Sequence, residues 1–437
     1  MESSSWKLLH PLPLFLPFFL ILPLPPAIST VAAVGGLRVE LRRVDANGNF
    51  SKMELLQRAA SRSHHRLARL AASPAGGDLR DAQAPVHAGN GEFLMDVALG
   101  TPPVAFSAIV DTGSDLIWTQ CQPCVDCFDQ PSPIFNPAKS STYSNLPCSS
   151  SLCAALPSAA CSSSGCEYLY TYGDSSSTQG VLAADTFSLG SHSPAKIAGI
   201  AFGCGNDNQG AGFSQGGGLV GLGRGPLSLV SQLGLGRFSY CLTSLDASKS
   251  SPLHFGSVAG AGVTTTTKLV KNSEQPSFYY LSLMGISVGG QRLAIPEGTF
   301  DLRGDGTGGL IIDSGTSVTY LEAEGYQAVK KAFLTQMKLP AAEGGEVGLD
   351  SCFSAPAGDE AVVEVPKLVL HFDGGSDLEL PAENYMILDP ATGLLCLTVM
   401  GSRGISILGN FQQQNMQVVY DLEKETLSFA QTRCDQL

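Results

Sequence analysis

Apolar residues in this chain come in short runs or in alternation, separated by Gly, Pro, Ser and Asn. That is the pattern of strands joined by turns. Residues 92–99 (EFLMDVAL) alternate loosely and stop at Gly100-Thr101-Pro102-Pro103; residues 104–110 form a second apolar run. Residues 167–172 (EYLYTY) and 178–188 read as the arms of a hairpin with Gly173-Asp174-Ser175-Ser176 at its tip. Further strands are expected at 279–288, 362–372, 394–400, 405–408, 417–421 and 426–430. Helical spacing occurs at 53–70, with basic residues between the apolar ones, at a short piece over 228–233, and at 323–337.

The same order of features occurs twice. Residues 109–118 read IVDTGSDLIW and residues 310–317 read LIIDSGTS. Each is an apolar run, an Asp, a hydroxyl residue, a Gly and a second hydroxyl. Each is followed, after more strands, by an apolar-apolar-Gly triplet, Leu219-Val220-Gly221 and Ile407-Leu408-Gly409. A Ser/Gly/Ala-rich stretch at 249–263 separates the copies. The expectation is a mostly β protein of two pseudo-symmetric lobes, 85–255 and 256–437, with Asp111 and Asp313 facing each other across a central cleft.

Composition changes this picture in three places. The 49 Gly and 26 Pro support many turns and few long helices. The net charge of −13 argues against nucleic-acid binding. The twelve Cys, an even number, suit an oxidising compartment. The leading residues agree: 12–26 are a short, proline-broken apolar run followed by the small residues of Ala27-Ile28-Ser29, so 1–29 read as a secretory signal. The run is too short for a membrane anchor, and the C-terminal SFAQTRCDQL carries no lipid-anchor signal. Residues 30–84 hold nine Lys/Arg against five Asp/Glu, whereas 85–437 hold sixteen against thirty-three. A basic segment ahead of an acidic body reads as a pro-peptide held partly by charge and loosened by acid. Self-processing is expected between about residues 79 and 90 near pH 3–4, the range of paired Asp groups. Asn49-Phe50-Ser51 is an N-glycosylation sequon in that segment, with Asn49 the acceptor.

Two carboxylates a few ångströms apart share one proton and titrate as a unit. One takes a proton from a water held between them, and the other donates to a peptide carbonyl oxygen. Neither a metal nor a cofactor is called for. Gly113 and Gly315 admit close backbone approach, Ser114 and Thr316 can hydrogen-bond the outer carboxylate oxygens, and Thr112 and Ser314 can bond across to the other half.

These residues resemble the pepsin-like aspartic endopeptidases, and within them the plant nepenthesin-like group. Asp-Thr-Gly-Ser with Trp118 seven residues after Asp111 is similar to the family's first active-site loop, and residues 313–317 to the second. Residues 171–176 (TYGDSS) are similar to the flap, which makes Tyr172 the flap tyrosine, Trp118 its hydrogen-bond donor, and Gly173 and Asp174 substrate-facing. The resemblance implies the bilobal pepsin-like fold, an extended protein or peptide substrate with apolar side chains at the scissile bond, a monomer, and secretion to the apoplast or vacuole. It also implies bridges Cys121–Cys124, Cys127–Cys204, Cys148–Cys166, Cys153–Cys161, Cys241–Cys434 and Cys352–Cys396. Two departures stand out: Ser175 where such flaps usually carry Gly, and Ser314 for the commoner Thr. Plant xylanase inhibitors share the scaffold without the catalytic residues, so a catalytically weak or inactive binding protein is the alternative.

Other motifs carry less. Gly212-Phe213-Ser214-Gln215-Gly216 has the spacing of a serine-hydrolase elbow, but residues 205–210 are too polar for the buried strand it needs. The body's four His (His87, His192, His254, His371) lie in no motif. Gly304–Gly309 precedes a strand, the wrong order for dinucleotide binding. Asp301 and Asp305 lack the glutamate of a calcium loop. Cys121, Cys124 and Cys127 have zinc-like spacing, but a secreted chain oxidises such thiols.

Overall fold

Strand-forming residues set between glycine turns build one twenty-stranded sheet and two four-stranded sheets. The computed structural model describes residues 36–46, 48–70, 93–172, 176–190, 194–210, 213, 215–245, 247, 249–256, 265–344, 348–356 and 363–437, without the side chains of 64–66 and 68–70. In the first half, Phe93–Leu99 and Val104–Asp111 pair antiparallel around the turn at Gly100. The hairpin Gly165–Thr171 and Ser177–Leu189 continues into the long strand Ala195–Gln209. In the second half, Leu283–Val288, Leu368–Phe372 and Ser376–Leu380 lie side by side in one small sheet. Among the described residues four α-helices punctuate the strands: α1 (Lys52–Leu70), α2 (Ser151–Ala154), α3 (Leu229–Leu233, capped by Ser228) and α4 (Ala323–Gln336).

The halves share a sheet and a core. Arg237–Cys241 pairs antiparallel with Met416–Asp421, and the Phe238 ring stacks on Tyr420 with centroids 4.3 Å apart. One cluster of buried side chains includes Val97, Phe238, Leu370 and Phe429, so apolar burial is continuous from one half to the other.

The basic leading segment is built into this body. Leu37–Arg43 (LRVELRR) alternates apolar and charged residues and forms a strand between Ser251–Phe255 and Phe93–Leu99, antiparallel to both. The spacing of this segment predicts its helix; the strand ahead of it was not expected. Helix α1 starts at a capping box: Glu54 N–H donates to the Ser51 hydroxyl at 3.2 Å, and Ser51 N–H donates to the Glu54 carboxylate at 2.7 Å. Met53, Leu56 and Leu67 then pack with Phe278, Ile311, Val318 and Tyr320 of the second half. The expected charge attraction to the acidic body takes a different form. Arg58 and Arg62 turn inward onto the segment's own Asp45 at 3.2 and 2.9 Å. Arg42 reaches the body, bonding Asp96 at 2.7 Å.

Four of the disulfides implied by the resemblance are replaced. Cys121 bonds Cys204 and Cys124 bonds Cys127, because Trp118–Gln120 runs parallel to 203–205 and Cys121 N–H donates to the Gly205 carbonyl at 2.8 Å. Cys148 bonds Cys161 and Cys153 bonds Cys166, sorted by burial: Cys153 and Cys166 meet inside, Cys148 and Cys161 near the surface. Cys241–Cys434 and Cys352–Cys396 close the remaining pairs. With Cys121, Cys124 and Cys127 all oxidised, their zinc-like spacing offers no thiolate.

Candidate active site

Each Asp motif ends a buried strand that has a parallel partner. Val104–Asp111 pairs with Gly218–Gly221, placing Gly221 beside Asp111. Leu310–Ile312 pairs with Ser406–Leu408, and Asp313 N–H donates to the Leu408 carbonyl at 3.1 Å. The two apolar-apolar-Gly triplets are these partners. Their glycines answer to one constraint: a Cβ on Gly221 would lie 2.7 Å from the Ser114 carbonyl oxygen, and one on Gly409 would lie 2.7 Å from that of Ser317. Gly221→Ala should therefore cost about 1–3 kcal/mol by overpacking and displace the Asp111 loop. Urea unfolding and kcat, measured together, check this; wild-type values for both would contradict it.

The aspartates receive matching sets of donors. Gly113 N–H donates to Asp111 Oδ1 at 3.1 Å and the Ser114 hydroxyl to Oδ2 at 2.6 Å. Gly315 N–H donates to Asp313 Oδ1 at 2.9 Å and the Thr316 hydroxyl to Oδ2 at 2.6 Å. Both carboxylates are fully buried. The loops are tied to each other: Ser314 N–H donates to Thr112 Oγ1 at 3.0 Å, and the two side-chain hydroxyls lie 3.2 Å apart. Thus Thr112, Gly113, Ser114, Ser314, Gly315 and Thr316 all converge on the Asp111–Asp313 pair.

Behind the first loop, Trp118 Nε1–H donates to the Tyr172 hydroxyl at 2.8 Å. Both rings are buried and meet Phe213, at 4.7 and 5.1 Å between centroids. Burial, with Tyr170 and Asp111 nearby, holds the Tyr172 phenol well above its ordinary pKa, so it stays a neutral hydroxyl. Gly173, Asp174 and Ser175 lie outside the described residues, as do Ser214 and the segment expected to be cut. A strand, Ala195–Gln209, does precede the elbow-like motif, contrary to expectation, but the next helix, α3, starts only at Leu229. What the motif supplies among its described residues is Phe213, a wall of the Trp118–Tyr172 cluster.

Several contributors were not legible in the sequence. Asn410 Nδ2–H donates to the Ser314 carbonyl at 3.0 Å, and Gln413 Nε2–H to the Leu408 carbonyl at 2.8 Å. Helix α1 inserts Ser63, whose Oγ accepts from Ser317 N–H at 2.8 Å and sits 2.9 Å from the Ser317 hydroxyl. His371 bonds Ser287 through Nε2 at 2.7 Å and Asp377 through Nδ1 at 2.6 Å. That is the order of a hydrolase triad, but Ser287 lies within a strand and is paired on both sides, to Arg292 and Val369. Its backbone is thus spent in the ladder, and the row ties three strands together. No described helix is long and apolar enough to cross a membrane.

Residues 93–257 match the family model described as Xylanase inhibitor N-terminal, and 278–431 the one described as Xylanase inhibitor C-terminal. The chain is 50% identical over 407 residues to aspartic proteinase nepenthesin-2 of Nepenthes gracilis, covering 91% of this chain and 90% of that protein. It is 50% identical over 411 residues to aspartic proteinase nepenthesin-1 of the same plant, covering 92% and 91%. Aspartyl protease 37 of Oryza sativa subsp. japonica is 38% identical over 464 residues, covering 96% and 98%. Among solved structures, the one titled as that of edgp superposes with a TM-score of 0.64 at 19% identity, covering 92% of this chain and 96% of that one. At that identity the likeness speaks for the fold.

Proposed function

The chain belongs to the nepenthesin-like plant aspartic proteases and is an aspartic endopeptidase, and on that premise we propose that Asp111 and Asp313 are its catalytic pair. The observation that carries the assignment is the matched donor sets on two carboxylates whose loops are joined through Thr112 and Ser314. The ionised member accepts a proton from water, and the oxygen of that water forms a bond to the substrate carbonyl carbon. The protonated member donates to the carbonyl oxygen, giving a neutral tetrahedral intermediate. The C–N bond then breaks as the nitrogen takes a proton, leaving an acid and an amine. Acid-pH cleavage of a denatured protein, blocked by pepstatin, tests the reading; cleavage that pepstatin leaves untouched would sink it.

On this reading the Tyr172 arm and Trp118 form the flap side of the substrate cleft, and Gly173 and Asp174 are assigned to substrate binding. The substrate is an extended peptide with apolar side chains at the scissile bond, and the enzyme acts as a secreted monomer. Residues 1–29 are the signal and 30–84 the pro-segment. The exposed position of Asn49, just before the α1 capping box, suits a glycan. A binding-only role finds little support, since both carboxylates and their donors are retained and the relatives are named as proteinases.

The acid trigger centres on Asp45. Burial works to raise its pKa, but the hydrogen bonds and charges of Arg58 and Arg62 prevail and hold it below the ordinary value. A depressed carboxylate contributes stability above its unfolded pKa, and that stability is lost as pH falls through the folded one. Asp45→Asn, which mimics the protonated state, should let the precursor mature at a pH higher by about one unit. Gel analysis of processing against pH checks this; an unchanged midpoint would remove Asp45 from the trigger.

A further inference from the structure

Asp115 is a third buried carboxyl in the first catalytic loop, and the reaction above makes no use of it. Its Oδ1 accepts the Gly225 N–H at 2.8 Å, and its Oδ2 the Ser277 hydroxyl at 2.5 Å. Gly225 belongs to the turn that follows the Asp111 support strand. Ser277 lies in the second half, two residues before Tyr279, whose carbonyl accepts the Ile312 N–H at 3.0 Å just ahead of Asp313. The turn is shaped around this carboxyl: a Cβ on either Gly223 or Gly225 would lie closer than 3.0 Å to an Asp115 oxygen. Gly223 N–H donates to the Ser114 carbonyl at 2.8 Å, and Arg224 N–H donates to the Ser277 carbonyl at 3.0 Å. One side chain thus gathers the first loop, its supporting turn and the entry to the second loop.

We propose that Asp115 is a positioning residue: its carboxyl clasps the Asp111 loop to Ser277 and so sets the placement of Asp111 relative to Asp313. This rests on the assignment of those two residues as the catalytic pair. The groups facing Asp115 are Asp111 on its own loop, the Tyr170 hydroxyl at 3.4 Å from its N–H, and the Tyr279 phenol; Arg224 acts on Tyr279, its guanidinium taken up by the Val270 carbonyl and Glu425. Burial first, against the pull of its two donors and with Asp111 adding to it, pushes the Asp115 carboxyl above its ordinary pKa. The sign follows. A carboxyl with a raised pKa holds its proton to higher pH than an ordinary one, and its contribution to stability is complete below the unfolded pKa and lost as pH rises through the folded one. Ionisation would place a second buried charge beside Asp111 and strain the clasp.

Asn at this position keeps the shape, accepts from Gly225, donates to Ser277 and cannot ionise. The test is kcat and KM of the mature enzyme on a peptide substrate from about pH 3 to about pH 7. Asp115→Asn should stay within about threefold of wild-type kcat in acid and move the upper limb of the profile toward higher pH. Asp115→Ala and Ser277→Ala should lower kcat by about tenfold to a hundredfold with KM little changed, as expected of a misplaced reacting pair. Asp111→Ala, run alongside, separates the two claims: activity surviving there overturns the pair, not the clasp. The clasp is overturned if Asp115→Asn loses acid activity as Asp115→Ala does, or if the upper limb stays in place. Wild-type kcat in Ser277→Ala overturns it too, and that variant decides the matter should Asp115→Ala not fold.

Discussion

Asp111→Asn, and separately Asp313→Asn, should lower kcat by at least about 10²–10⁴-fold, the scale of a lost general acid or base, while the protein remains folded. The change is nearly isosteric. The amide oxygen still accepts the Gly113 or Gly315 N–H, and the strands ending at 111 and 312 keep their parallel partners. What is lost is a group able to take a proton from water at one position or give one to a carbonyl at the other. If the two act as one unit, as proposed, the double variant should be little worse than either single one. Single-turnover cleavage at acid pH, with circular dichroism as the folding control, checks this. Near-wild-type rates in either variant would remove that carboxylate from the mechanism.

The second large effect is on stability. Removing the Cys241–Cys434 bridge by the pair Cys241→Ala and Cys434→Ala should cost about 5 kcal/mol in the chain-entropy limit. This bond has the longest sequence separation of the six, 193 residues, against 3 to 83 for the others. It also anchors the last residues beside Arg237–Cys241, the strand through which the first half pairs with Met416–Asp421. Equilibrium urea unfolding under non-reducing conditions measures the loss. A midpoint equal to wild type would show that strand pairing and the Phe238–Tyr420 stack hold the C-terminus unaided.

Local signals carried most of the fold and the centre of the site. The two Asp turns, their Gly-ended partner strands, α1 and α4 are each written in a few adjacent residues, so the chain announces them. Partners chosen in space are a different matter. Cys121 is three residues from Cys124 yet bonds Cys204, because a parallel strand brings Cys204 alongside. Asp115 reads as one more polar residue in a turn until Ser277, 162 positions away, is seen to donate to it. Arg58 and Arg62 read as cations for the acidic body; the positive φ of 66° at Asp45 accompanies a turn that brings its carboxylate onto both. Leu37–Arg43 is alternating and easily drawn as a strand, but its neighbours lie more than fifty and two hundred residues on.

If residues 30–84 are removed as proposed, that strand makes the step hard to reverse. Leu37–Arg43 lies between two neighbours, so its excision would leave a slot one strand wide with an open edge on either side. Five residue pairs to Ser251–Phe255 and three to Phe93–Leu99 would be broken. Open edges recruit whatever extended chain is at hand. Once another segment fills the slot, the severed piece must displace it to return, in competition and without a tether. Raising the pH again would restore the charges on Asp45 but not the precursor, and the pH cycle should show hysteresis.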